Sequence, residues 1–196
     1  MPREFETEEE IVTWADSLDE RWPEREQVRA HMLDTLIDLS CTQPTFVELC
    51  SGDGRFARRV IDALPDARYV AIDGSASLCR YVDTHPGVDG VQADLRGVDR
   101  LTILEQTVDA IVTLQSLHDV GDGEAISRLY SESLNTLAED GILLAADFVV
   151  PEDGFDPDRP GRLPISWHLE TLKSAGYRDV VCSVEVGALA CFKGLR

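Results

Sequence analysis

Apolar and polar positions along the chain alternate with two periods, which predict helices and strands in turn. Residues 7–20 and 24–39 carry apolar side chains at helical spacing, and Thr7 and Glu10 have the spacing of a capping box. From residue 45 onward, short apolar runs that are typical of buried strands alternate with amphipathic segments. These runs predict five strands, at 45–49, 69–73, 88–94, 108–114 and 141–149. The segments between them predict helices at 54–64, 75–84 and 122–138, with a short helix at 101–106.

The pattern changes after the fifth predicted strand. Residues 151–164 contain four prolines and four acids, which is the composition of a loop. A helix is predicted at 165–175, followed by Gly176 at its C′ position. Two strands, at 178–184 and 187–193, then form a hairpin with a tight turn near Glu185 and Val186. Five strand–helix alternations and this hairpin predict a parallel sheet with helices on both faces and an antiparallel last strand.

Composition narrows the possible partners. The chain has 196 residues, of which 37 are acidic and 18 basic, and its net charge is −19. This charge disfavours nucleic acids and anionic membrane surfaces as partners. No apolar run approaches the roughly 20 residues that span a bilayer, and the N-terminal residues are too polar for a signal peptide. The five cysteines and four histidines form no metal-binding or disulfide pattern, so we expect no metal site and a reduced, cytoplasmic compartment.

The most informative residues lie where the first predicted strand meets its helix. Glu48 is near the end of that strand, and Gly52 and Gly54 allow a tight turn that a ligand approaches closely. Asp73 ends the second strand, where an open α/β sheet places a carboxylate against ribose hydroxyls. Asp94 ends the third. We expect the three acids to line one ligand crevice, because parallel strands end at the same sheet edge.

With these motifs in this order, residues 44–194 resemble the class I S-adenosylmethionine-dependent methyltransferases. The family's first motif is an acid followed by three alternate glycines, and it is present here at residues 48–54 with Cys50 in place of the first glycine. Asp73 matches the family's ribose-binding acid, and Asp94 with Leu95 matches the pair that holds the adenine. Residues 108–118 resemble the fourth strand and the "LHH" end of the small-molecule subgroup, with Asp119 replacing the second histidine. Residues 172–180 resemble the late "L-x-x-A-G-F-x-D-V" run.

The resemblance implies a three-layer Rossmann-like fold with a seven-stranded, mostly parallel sheet in the order 3-2-1-4-5-7-6. Strand 7 would be antiparallel, as the predicted hairpin indicates. Residues 1–196 would form one domain, in which a helical lid at 1–43 covers a cofactor-binding core at 44–196. We see no internal repeat or domain break in the sequence, and both a monomer and a homodimer are compatible with it.

The resemblance also implies chemistry. Members of the family transfer the methyl group of S-adenosylmethionine to a nucleophile by in-line displacement, and here a small-molecule acceptor is expected. The tetrapeptide of amino-group methylases, N/D-P-P-Y/F, is absent after the fourth strand. His118 lies beside the expected methyl group and is the candidate general base. The expected cofactor-binding residues are Glu48, Cys50, Gly52, Gly54, Asp73, Gly74, Asp94, Leu95, Gln115 and Arg29, the last of which, or its neighbour Arg25, would bind the cofactor's carboxylate.

Two alternatives stay open from the sequence. One is a binding or regulatory protein that keeps the fold and the cofactor without catalysis, since no histidine pair is present. The other is a nicotinamide-dependent oxidoreductase, because Gly52 to Ala57 also fits the G-x-G-x-x-G/A dinucleotide pattern. Against that alternative, Glu48 and Asp53 place negative charge where a pyrophosphate would lie.

Overall fold

A computed structural model describes residues 3–39, 41–97, 100–104 and 106–196 of the chain. Eight strands are present among them: β1 Thr45–Leu49, β2 Arg68–Asp73, β3 Val88–Gln92, β4 Val108–Leu114, β5 Leu137–Val150, β6 Leu163–Pro164, β7 Arg178–Val186 and β8 Leu189–Leu195. The α-helices are α1 Glu8–Arg21, α2 Glu24–Ile37, α3 Arg55–Ala63, α4 Ala76–Val82, α5 Leu117–Val120, α6 Gly123–Thr136 and α7 Ile165–Ala175, and a 3-10 helix covers Arg100–Ile103.

The strands form one sheet in the order β3-β2-β1-β4-β5-β8-β7, and the two-residue β6 pairs with the end of β5. Strands β1 to β5 pair in parallel, whereas β8 runs antiparallel to both β5 and β7. Since β6 is an addition within the predicted loop, this order is the predicted one with the hairpin strands renumbered. The predicted fold class is therefore confirmed, including the antiparallel last strand.

The central strands are buried on both faces, and alternate side chains enter two apolar cores. Phe46 of β1 packs with Val28 of α2 and Phe56 of α3 in one core. Val47, the next residue, packs with Ile126 of α6 and Leu172 of α7 in the other. Because a strand's side chains alternate between faces, the apolar run of β1 requires a helical layer on each side. The three-layer arrangement follows from this run.

Several local predictions are wrong at element boundaries. The hairpin turn lies at residues 187–188 rather than 185–186, because Gly187, with a φ of +61°, adopts the left-handed conformation that the turn requires. The short helix α5 was not predicted. Strand β3 ends at Gln92, so Asp94 lies two residues beyond it. The predicted helix at 101–106 is the 3-10 helix, and residue 105 lies outside the described residues.

The two N-terminal helices begin as predicted and pack against the core. The hydroxyl of Thr7 accepts a hydrogen bond from the Glu10 backbone N–H at 3.2 Å, and the Glu10 carboxylate accepts one from the Thr7 N–H. This capping box is confirmed. Helix α2 buries Met32 and Leu36 under the sheet. Within the described ranges, every helix is too short or too polar to cross a membrane.

Substitution of Gly54 tests how tightly the turn between β1 and α3 packs on α4. It has a φ of +70°, and an alanine Cβ there would lie 2.8 Å from Cγ2 of Val82. Gly52 has a similar φ of +60°, but its added Cβ would meet the Trp14 ring at an ordinary 3.5 Å. We expect Gly52→Ala to lower the free energy of unfolding by about 1–2 kcal/mol. Gly54→Ala should cost about 1–3 kcal/mol more, because it adds a steric clash. Urea denaturation of both variants measures the difference, and equal losses would contradict the packing.

Candidate functional site

The carboxyl ends of β1, β2 and β4 open into one cavity of about 740 Å³. The N-terminal helices α1 and α2 form part of its wall. Nine of the ten predicted cofactor residues line this cavity, and so does His118. Gly54 does not, since it lies at the N-terminus of α3 against Val82. The fold therefore brings together residues from five separate stretches of sequence.

The turn between β1 and α3 explains the alternate glycines of the sequence. Cys50, Gly52 and Gly54 have φ angles of 55°, 60° and 70°, all in the left-handed region. Cys50 pays an energetic penalty there that glycine does not, of about 1–2 kcal/mol. Burial raises the pKa of its thiol, as does the nearby charge of Asp73. The thiol is therefore neutral, and Cys50 serves as a small side chain in the cavity wall.

Asp73 joins this turn to the second strand. Its carboxylate accepts hydrogen bonds from the backbone N–H of Gly52 at 3.0 Å and of Ser75 at 2.9 Å. Burial raises the pKa of Asp73, although these backbone N–H groups favour the charged form. Gly74, the next residue, accepts a hydrogen bond through its carbonyl from the Gln92 side chain. The carboxylate is thus held in a fixed orientation at the cavity wall.

Glu48 is buried at the end of β1, with 4% of its surface exposed. The Tyr69 hydroxyl donates a hydrogen bond to its carboxylate at 3.0 Å. Burial raises the pKa of Glu48 to about 8, and the charges of Asp53 and Asp73 add to the effect. Near neutral pH this side chain holds a proton. A cationic group placed beside it would favour the ionised carboxylate.

Asp94 and Leu95 follow β3 at the rim of the cavity. The Arg96 guanidinium donates two hydrogen bonds to the Asp94 carboxylate, from Nε at 2.8 Å and from Nη2 at 2.6 Å. The side chain of Asp94 is half exposed, whereas Leu95 is buried. Across the cavity, Gln115 has a φ of 57° and its buried Oε1 lacks a hydrogen-bond partner within the described part of the chain.

A cluster of arginines surrounds Asp19, the residue near the end of α1. Its carboxylate pairs with Arg29 at 2.8 Å and Arg25 at 3.2 Å, both on α2, and with Arg55 on α3. Arg29 is only 3% exposed, and its Nε and Nη1 have no hydrogen-bond partner among the described residues. The same holds for Nε of Arg25, and burial lowers the pKa of this residue to about 10. Unpaired buried N–H groups of this kind favour an anionic ligand.

His118 forms a pair with Asp147, a residue that sequence reasoning missed. The His118 Nδ1 lies 2.7 Å from Oδ1 of Asp147, and the His118 backbone N–H donates to Oδ2 at 2.7 Å. Asp147 is fully buried in β5, and its only sequence signal is an acid within an apolar run. Asp119 is mostly exposed and lies farther away, 3.7 Å from Nε2. Burial lowers the pKa of His118, but the hydrogen bond and charge of Asp147 outweigh this, and the pKa rises above 6.5.

The segment before α1 closes one side of the cavity. The Glu4 carboxylate accepts hydrogen bonds from the backbone N–H groups of Ala76 and Ser77, both at 2.9 Å. Phe5 contacts Trp14 with a ring separation of 5.2 Å, and Trp14 lies over Gly52. These contacts attach the N-terminal segment to the two turns that carry the cavity's acids.

The pair between His118 and Asp147 can be tested by titration. We expect Asp147→Asn to lower the pKa of His118 below its ordinary 6.5, because burial remains while the carboxylate is lost. Histidine ring signals followed by NMR against pH measure this value. Asp119→Asn is the matched control and should shift the pKa less. A larger shift from Asp119→Asn would show that the pairing is misassigned.

The buried Glu48 should make stability depend on pH. Between about pH 5 and 8 the folded protein keeps a proton on Glu48 that the unfolded chain has released. The free energy of unfolding therefore falls with rising pH, by up to about 1.4 kcal/mol per unit. Glu48→Gln removes this contribution, so its stability relative to the wild type should increase across that range. Urea denaturation at several pH values tests it, with the exposed Glu20→Gln as a control that should follow the wild type.

Comparison with known proteins agrees with this geometry. Residues 46–141 match the family model described as a methyltransferase domain. Over 94 residues the chain is 30% identical to the release factor glutamine methyltransferase of Streptomyces coelicolor. That alignment covers 46% of the chain and 33% of the relative, so the chain spans about a third of that protein's length.

Solved structures show the same fold. An O-methyltransferase family protein from Burkholderia thailandensis superimposes with a TM-score of 0.68 at 18% identity, over 84% of this chain and 55% of that one. Human N-acetylserotonin methyltransferase, in complex with S-adenosylmethionine, gives 0.69 at 17% identity, over 97% and 56%. The chain spans just over half the length of each. From the domain match and the shared fold, we conclude that residues 46–141 belong to a methyltransferase domain.

Proposed function

We propose that this protein is an S-adenosylmethionine-dependent methyltransferase that acts on a small-molecule acceptor. One observation carries the proposal. Buried guanidinium N–H groups without partners line the same cavity as Asp73, the expected ribose-binding acid, and as His118, which pairs with Asp147. The guanidinium groups and Asp73 suit the cofactor's carboxylate and ribose, and the histidine–aspartate pair suits the removal of a proton from an acceptor.

The cofactor's charged groups match the cavity wall. Its carboxylate would be bound by the free N–H groups of Arg29 and Arg25, since no acid in the described residues satisfies them. Its ammonium group would lie near Glu48, whose carboxylate would ionise beside a cation. The Asp73 carboxylate would accept hydrogen bonds from the ribose hydroxyls, and Asp94 with Leu95 would hold the adenine.

When bound, S-adenosylmethionine would supply an electrophilic methyl group on its sulfonium, open to in-line attack by an acceptor atom with the thioether as the leaving group. The protein contributes orientation and the exclusion of water. Helices α1 and α2 would serve as a lid, held by Glu4 and by the ion pairs of Asp19. Under such a lid the His118 side chain is only 8% exposed. The acceptor that reaches it would therefore be a small molecule.

His118 would act as the general base for a hydroxyl acceptor. Asp147 binds Nδ1, which fixes the tautomer and leaves Nε2 to take the acceptor's proton. The buried carboxylate then stabilises the imidazolium that results. This pairing favours an enzyme over a non-catalytic binding protein. The Asp53 carboxylate at the glycine turn disfavours a nicotinamide cofactor, because it would repel the pyrophosphate.

Calorimetric titration with S-adenosylmethionine, S-adenosylhomocysteine and NAD tests the proposal. We expect the two adenosyl compounds to bind and NAD not to bind. Asp73→Asn should weaken their binding by about 1–3 kcal/mol, because charge-assisted hydrogen bonds to the ribose are lost. Asp89→Asn, an exposed acid on the neighbouring strand β3, should bind them as the wild type does. Binding of NAD alone, or unchanged affinity in Asp73→Asn, would contradict the assignment.

A further inference from the structure

The cavity is rich in arginine, although the protein is strongly acidic. Eight arginines and five carboxylate side chains among the described residues line it, whereas the whole chain has 37 acids and 18 basic residues. Arg25, Arg29 and Arg55 are grouped around Asp19, and Arg96 pairs with Asp94. The proposed cofactor site explains the first group. It does not explain the arginines of the loop that packs on His118.

Two of these arginines belong to the loop between β5 and β6. Gly161 in this loop packs so closely on α5 that an added Cβ would lie 2.7 Å from Cα of His118 and 2.3 Å from the Gly121 carbonyl oxygen. This contact leaves no room for a side chain and fixes the loop beside the histidine. Arg159 and Arg162, on either side of Gly161, both line the cavity.

The two guanidinium groups have free hydrogen-bonding capacity. Arg162 has one ion pair, with Asp156 at 3.5 Å, and its Nε is buried without a partner among the described residues. Arg159 is exposed, and its side chain forms no hydrogen bond or ion pair within the described part of the chain. A buried N–H without a partner is unusual in a native protein, and a bound ligand would satisfy the Nε of Arg162. Two guanidinium groups from one loop in the same cavity suit a carboxylate.

The wall beside them is aromatic. The Arg162 guanidinium lies 4.7 Å from the centre of the Phe148 ring, and Trp22 meets the same ring edge-on at 4.6 Å. The Phe148 ring is in turn 5.7 Å from that of His118. Trp22 and Phe148 both line the cavity. An apolar wall between a cationic pair and a general base suits a planar ring that has an acid at one end and a hydroxyl at the other.

We infer that the methyl acceptor is a hydroxylated aromatic carboxylate, bound through Arg159 and Arg162 with its ring against Trp22 and Phe148. This inference rests on the proposed function. The acceptor's hydroxyl oxygen forms the new bond to the methyl carbon while the sulfur–carbon bond breaks and its electron pair stays on sulfur. The hydroxyl proton goes to Nε2 of His118. Arg159 and Arg162 are specificity-determining residues in this scheme and take no part in the bond changes.

The test compares acids with their uncharged amides. The 2-, 3- and 4-hydroxybenzoates and 3,4-dihydroxybenzoate are each paired with the corresponding primary amide. Binding is measured calorimetrically with the protein saturated in S-adenosylhomocysteine, and transfer is followed by mass spectrometry with S-adenosylmethionine. We expect at least one acid to bind at least tenfold more tightly than its amide and to be methylated on a hydroxyl oxygen.

Variants assign this preference to the two arginines. Arg162→Gln and Arg159→Gln should each reduce the ratio of acid to amide affinity at least threefold, and the double variant should abolish it. Affinity for the amide and for S-adenosylhomocysteine should stay at the wild-type value, which also shows that the variants are folded. Arg162→Lys keeps the positive charge but loses the planar guanidinium, which can donate two parallel hydrogen bonds to a carboxylate. It should therefore retain part of the preference for the acid over the amide. Arg80→Gln, at an exposed position of α4 outside the cavity lining, is the matched control and should behave as the wild type.

Three results would overturn the inference. These are equal binding of acids and amides, a preference that survives the double variant, and failure of every acid to bind a protein that does bind S-adenosylhomocysteine. Failure of S-adenosylhomocysteine to bind is a different result, since it would overturn the proposed function and this inference with it.

Discussion

The backbone turn between β1 and α3 is the constraint on which the rest of the site depends. Three alternate residues at positive φ reverse the chain within a few positions, and this brings the Gly52 N–H to the Asp73 carboxylate. The turn thereby joins the first two strands at the cavity and points α3 toward the N-terminal helices. A side chain larger than cysteine at position 50 would add strain and bulk at the same point. The positions of the first two strands, of α3 and of the cavity thus depend on the conformation of this one turn.

Burial of charge gives the cavity its chemical character. In a chain with 37 acids, the carboxylate of Glu48 is kept protonated near neutral pH by desolvation, while Arg29 is buried with its charge only partly compensated. Burial of the Glu48 and Arg29 side chains is unfavourable in the free protein, and a ligand of opposite charge beside each group would make it favourable. The cost of burying them is offset when a zwitterionic ligand binds. Under the proposed function, the cavity would select its ligand through the same groups whose burial destabilises the free protein.

The proposed acceptor side of the cavity is assembled from elements that are distant in sequence. His118 follows β4, Asp147 lies 29 positions later in β5, and the loop that carries Arg162 returns across α5 at Gly161. Each contact depends on the parallel pairing of β4 with β5, which places both carboxyl ends at one edge. The same fold supports many acceptors because such loops vary while the strands do not. In this protein the loop adds cationic groups to an otherwise apolar and aromatic wall.

The sequence by itself determined the order of the elements apart from α5 and β6, the strands β1 and β4 to the residue, and the acids and glycines near the strand ends. These features are local, because hydrophobic period and glycine spacing are read within a few residues. It predicted the residues around the cofactor cavity for the same reason, since parallel strands end at a common edge. Only the tertiary structure decided that Asp147 rather than Asp119 pairs with His118, that Asp19 pairs with three arginines, and that Arg159 and Arg162 line the same cavity as His118. These are contacts between distant segments, whose distances are set by packing across the sheet and leave no periodic signal in the chain.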